Sequence, residues 1–213
     1  LNHTEAEAQP IAEVTWAGGP SPLAVNKKKL GMWLFLLSDS ITFSCLLIGY
    51  SYVRIASPDW PRPFEFYPAI VKATLLTAIL LTSSLTMVLA VHAAHKGNRS
   101  RAVKFILFTI LGGVLFDVIH ISEWINLIVN EHVTPFHNPW GSPLFGGAYF
   151  GLTGLHMLHV TIGLCYLGTI AWGFGTKRFS AEDVEVSGLY WHFVDLVWMF
   201  IFPLVYLINV TPK

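Results

Sequence analysis

Residues 144–172 read LFGGAYFGLTGLHMLHVTIGLCYLGTIAW, and none of them is Asp, Glu, Lys or Arg. A helix rises about 1.5 Å per residue, so roughly 20 apolar residues cross the hydrocarbon core of a bilayer. This stretch is longer than that and contains no proline. A helix of a water-soluble domain would carry a charged face along such a length. The stretch therefore predicts a transmembrane helix, and the reading of the whole chain follows from it.

Four further runs of the same kind flank it, at about 30–52, 69–91, 105–129 and 189–210. The fold expected is all-α, a polytopic membrane bundle of five transmembrane helices within residues 30–213. The composition agrees: 54% of the 213 residues are hydrophobic and only 12% charged, against roughly 25% charged in an average soluble domain. Eight Trp, 15 Phe and seven Tyr suit the aromatic belts of a bilayer. The links between runs are short, with Pro58, Pro61, Pro63 and Pro68 in one and Pro135, Pro139 and Pro143 in another. Residues 1–29 read as a polar N-terminal tail, with Trp16 as an anchor. The tail has no basic stretch followed by an apolar one, so it does not read as a signal peptide.

The basic residues set the orientation. Lys27–Lys29, Lys96, Arg99, Arg101, Lys104, Lys177 and Arg178 fall on one side; Arg54, Arg62, Lys72 and Lys213 fall on the other. Together these are all 13 Lys and Arg. The positive-inside rule then predicts a cytoplasmic N-terminus and an outer C-terminus. Lys72, near the start of the second run, is placed to snorkel to the outer interface. With formal net charge zero, the chain lacks the basic footprint that nucleic acid requires. Cys45 and Cys165 each sit alone in an apolar run, without metal-ligand spacing.

In lipid, helices associate through close packing and interhelical hydrogen bonds. Gly147, Gly151 and Gly154 form one candidate contact stripe. Thr82, Ser83, Ser84 and Thr86 offer hydroxyls to a neighbouring helix or to their own i−4 carbonyls.

Ionisable residues at bilayer depth cost at least about 2.5–3.5 kcal/mol on insertion scales, so each needs a partner or a purpose. The candidates are Asp39, near the midplane; Asp117, His120 and Glu123, each three residues from the next; His156 and His159; and His192 with Asp195. Three readings of this set stand open: interhelical hydrogen bonds that fix packing, a proton or ion path, and a haem or metal site. On the cytoplasmic side His92, His95, Lys96, Arg99 and Arg101 form a candidate proton-collecting cluster.

Five blocks in order carry a resemblance. They are LGMWLFLLSDSITFSCLLIGY (30–50), TLLTAILLTSSLTMVLAVHAAHKGNR (74–99), ISEWINL (121–127), FGGAYFGLTGLHMLHVTIGLCYL (145–167) and YWHFVDLVWMFIFPLVYL (190–207). Over 30–207 the chain resembles subunit III of the haem–copper terminal oxidases, in the five-helix form of many bacteria. The G-L-H-x-L-H-V and W-H-F-V-D runs are the specific ones. The resemblance implies a bundle that docks on oxidase subunit I, beside subunit II and other oxidase subunits, and binds phospholipids in a cleft. It further implies respiratory electron transport as the setting, in a bacterial cytoplasmic membrane, with a respiratory supercomplex as a further assembly open to the chain. Haem and copper are expected in the partner subunits. No catalytic residue, metal or cofactor is expected in this chain, which would support subunit I stability and proton uptake without carrying the catalytic centre. The family commonly has a glutamate where this chain has Asp39, one methylene shorter. Companion subunits of quinol oxidases and nitric oxide reductases share much of the pattern. An independent proton or ion transporter is the alternative from another class, against which stands the lack of an evident internal repeat.

Overall fold

The computed structural model describes residues 27–210. They form five long helices: α1 (Lys27–Ala56), α2 (Val71–His95), α3 (Arg99–Val129), α4 (Leu144–Gly175) and α5 (Ala181–Ile201). All five are long and apolar enough to cross a membrane. Each extends at one end or both past the apolar run that announced it, because a helix continues into the headgroup zone where polar residues are tolerated. Lys27–Lys29 thus open α1 and are not part of a tail. Most of the tail, with Trp16, lies outside the described residues.

The ends of the helices have local causes. α2 stops at Gly97, whose φ of +75° suits a residue without Cβ, and the amide of Asn98 closes onto Ala93 O at 3.0 Å. Asn98 then caps α3, its side chain accepting from the Arg101 amide at 3.1 Å. At the start of α5, the Asp183 carboxylate accepts from the Ser180 amide at 2.8 Å. Pro203 lacks an amide hydrogen and crowds the preceding turn. Beyond α5 the backbone accordingly widens into a π turn (Phe202–Tyr206) and then tightens into a 3-10 turn (Leu207–Asn209).

α5 sits at the centre, packed on α2, α4 and α1, while α2 lies along α3 and α3 along α4. The core is aromatic: Trp191, Trp198, Tyr149, Tyr206, Phe116 and Phe145 are all fully buried. The two fully buried indoles have hydroxyl partners on α2. Trp191 donates to Ser83 Oγ at 3.1 Å, and Trp198 donates to Thr77 Oγ1 at 3.0 Å. The hydroxyls of α2 act as expected. Thr82 bonds back to Ala78 O, while Thr86 meets Thr109 of α3 at 2.8 Å.

The glycine stripe is only partly a contact. A Cβ at Gly154 would come within 2.9 Å of the Trp124 ring, but one at Gly151 would meet nothing. The close approaches to α5 come instead at Gly163, where a Cβ would press on Tyr190 and Trp191 at 3.1–3.2 Å. Gly163 lies on the face of α4 turned to the large α5 rings, so the aromatic partners, more than the glycine spacing, select the interface.

Candidate functional site

The ionisable residues fall into separate groups. Asp39 on α1 meets His159 on α4, with 3.0 Å between Asp39 Oδ2 and His159 Nε2. Both side chains are mostly buried. The other ring nitrogen, His159 Nδ1, lies 2.8 Å from the carbonyl of Leu155. A carbonyl can only accept, so Nδ1 carries a hydrogen. The close approach offsets part of the cost of burying two ionisable groups. Phe43 covers the imidazole edge-on at 5.1 Å.

On α3, Asp117 accepts from Thr161 Oγ1 of α4 at 3.1 Å. On α5, His192 Nδ1 is 2.6 Å from Ser84 Oγ of α2. Asp195, one turn on, is buried at 7% exposure. Glu123 accepts from Tyr206 OH at 3.1 Å, and Tyr206 meets Tyr149 OH at 2.9 Å. This carboxylate also lines a cavity of about 740 Å³ at the end of the bundle formed by the 57–65 and 130–143 links. Lys72, Arg62, Glu65 and Trp140 share that wall. Glu123 thus faces a polar space at one end of α3, and Lys72 reaches the same space.

His120 and His156 are different. Both have zero exposure, and neither ring makes a hydrogen bond to a described residue. Their rings pack on Phe116 and Trp198. Among the described residues, no three His, Cys, Asp or Glu side chains come together at metal-holding distance.

At the other end of the bundle the candidate collecting cluster divides. His95 Nε2 is 3.2 Å from Glu185, and Arg99 donates to Phe174 O at 2.9 Å while lying over its ring. His92, Lys96 and Arg101 are exposed. Beside them Lys28 pairs with Asp183 at 2.6 Å and Lys29 with Glu185 at 2.8 Å.

The sequence reading placed these residues at depth but did not pair Asp39 with His159, and it missed the Glu123–Tyr206–Tyr149 chain entirely. The first pair had a signal: two polar residues at similar distances from the cytoplasmic side, Asp39 counted from the N-terminal end of α1 and His159 from the C-terminal end of the antiparallel α4. Tyr206 had none, because its inward turn depends on the π turn that contains Pro203.

Apolar helices long enough to span, with ionisable groups turned inward among them, define a multi-pass membrane helical bundle. Its sequence pattern is that of a known family. Cytochrome c oxidase subunit III matches residues 8–210, and the chain belongs to that family. Among its relatives is cytochrome c oxidase subunit 3 of Alkalihalophilus pseudofirmus, 33% identical over 87% of this chain and 88% of the relative. Subunit 3 of the cytochrome bo(3) ubiquinol oxidase of Pseudomonas aeruginosa is 32% identical over 84% of each. The likeness extends to subunit 3 of Loxodonta africana, 29% identical over 92% of this chain and 75% of the relative.

Proposed function

We propose that the chain is the non-catalytic third subunit of a proton-pumping terminal oxidase in a bacterial cytoplasmic membrane. It docks on subunit I beside subunit II, binds phospholipid and supports proton uptake, while haem and copper reside in the partner subunits. The observation that carries the reading is the family match, which runs through all five helices and includes both histidine-bearing motifs. The exposed His92, Lys96 and Arg101 support the collecting role, since a cluster of titratable and basic groups concentrates and exchanges protons at a membrane surface. The electron donor is cytochrome c in this reading. A quinol is the second choice, favoured by the Pseudomonas relative that is named a ubiquinol oxidase subunit.

The test has two steps. Affinity capture of the tagged chain from gently solubilised membranes should bring down a subunit with haem and copper; capture of the chain alone would favour the transporter reading. Oxygen consumption is then followed against pH and time, with and without this chain, in matched lipid. The stripped complex should begin at near-normal rate, decline faster during turnover and slow more steeply as pH rises. Immediate complete loss would place catalytic machinery in this chain.

A further inference from the structure

Buried polar atoms in folded proteins nearly always have partners. Among the described residues, those without one concentrate in a single place: both ring nitrogens of His120, both of His156, and the indole Nε1 of Trp124. The others, on Asp39, Trp60, Asp117 and Asp195, are scattered singly. His120 and Trp124 are successive on one face of α3, with ring centroids 6.1 Å apart. His156 comes from α4, and its ring shares Phe116 and Trp198 with that of His120. The Trp124 ring lies over Gly154, two residues before His156.

The chemistry of the set is specific. A neutral imidazole has one donor and one acceptor, and an indole has one donor. The three side chains therefore present three donors and two acceptors to each other's neighbourhood without bonding one another. A cation is a poor match, because three of these five groups carry hydrogen and, among the described residues, no three His, Cys, Asp or Glu side chains are placed to hold a metal. Water, with two donors and two acceptors, matches any such mixture, and buried water typically makes about three hydrogen bonds to groups of this sort. A route to bulk water is close by. Glu123 Oε2 lies 3.8 Å from His120 Nδ1, too far for a direct bond, and Glu123 belongs to the wall of the 740 Å³ cavity.

We propose that His120, Trp124 and His156 line an internal hydration site whose water enters from that cavity past Glu123. The site goes beyond the supporting role proposed above. It makes two zero-exposure histidines of the bundle interior able to exchange protons with the aqueous phase at the cavity end. The Asp39–His159 pair lies one turn further along α4, behind Phe43, which touches the His156 and His159 rings alike.

The experiment is magic-angle-spinning NMR of the full chain in lipid bilayers, with nitrogen-labelled His and Trp. Magnetisation is passed from water protons to ring nitrogens. His120 and His156 signals are assigned by loss in His120→Gln and His156→Gln, which keep a polar group. Trp198, bonded to Thr77, is the dry reference. Transfer to both histidines that is severalfold faster than to Trp198 is the expected result. Transfer as slow as to Trp198 would show the site to be dry, and a stoichiometric metal bound at these rings would show the wrong ligand. Entry is tested separately with Asn126→Trp, since Asn126 is exposed on the cavity wall. The substitution should slow deuterium exchange of both ring N–H groups severalfold; an unchanged rate would refute entry through the cavity.

Discussion

α1 and α5 are both apolar spans, yet they are held in different ways. In the most hydrophobic window of α5, 44% of residues are buried inside the bundle; in that of α1 only 11% are. α5 fills the centre with Trp191 and Trp198. α1 leaves Leu34, Leu37, Ile41 and Ile48 on the outside and buries only Leu36, Phe43 and Tyr50 among its apolar residues. It is fastened by polar ties at three levels. Lys28 and Lys29 hold Asp183 and Glu185 at one end, and Asp39 holds His159 at depth. At the other end, Tyr50 OH accepts from Asn209 Nδ2 at 2.6 Å, while Arg54 Nε donates to Asn209 Oδ1 at 2.9 Å. A helix with lipid on most of its surface gains little from apolar contact, since lipid tails are as apolar as leucine. Hydrogen bonds and ion pairs are then what separates the docked state from the undocked one.

The contrast can be broken most forcefully at Trp198. Truncating a buried aromatic to alanine costs roughly 3–5 kcal/mol in a water-soluble core. Where lipid replaces water the transfer part falls away and the packing part remains. Trp198→Ala should therefore cost about 2–3 kcal/mol, read from unfolding of the chain in bicelles titrated with SDS. A cost no larger than that of removing one α1 tie would remove the distinction between the two helices.

A smaller effect is expected at the midplane. Asp39→Leu leaves His159 Nε2 without its partner, and His159→Leu strands the carboxyl. The double variant should recover part of both losses. Interhelical polar contacts in membranes average about 0.6 kcal/mol and reach about 1.7, and a coupling toward the upper end is expected for a buried pair of ionisable groups in close contact. A double-mutant cycle in the same assay measures it, and additive losses would mean that the 3.0 Å contact contributes nothing to docking α1.

The smallest effect belongs to Lys29→Ala. Its ion pair with Glu185 is solvent-accessible on both sides, and such pairs contribute about 0.2–1 kcal/mol at most. Salt screens them, so the difference from the parent chain should shrink as ionic strength rises. A loss unaffected by salt would assign Lys29 a packing role through its stem.

The amino-acid sequence by itself determined the number of spans, their order and the family. Those follow from length, the absence of charge and ordered motifs, which act along the chain and need no knowledge of neighbours. It also marked Asp39, Asp117, His120, Glu123, His156, His159, His192 and Asp195 as polar groups within or at the edge of apolar runs, because position along a helix is read directly from residue number. Only the tertiary structure decided which of them meet. Spacing of three or four residues puts His156 and His159 on one broad face of α4, but the rotation of α4 against its neighbours turns one to Asp39 and the other to Phe116 and Trp198. Nor could spacing reveal that α1 is peripheral, for its apolar run reads like the others. Helix rotation and helix order are set by how glycines and large rings interlock across interfaces, and that complementarity is a property of two surfaces together, absent from either strand of sequence alone.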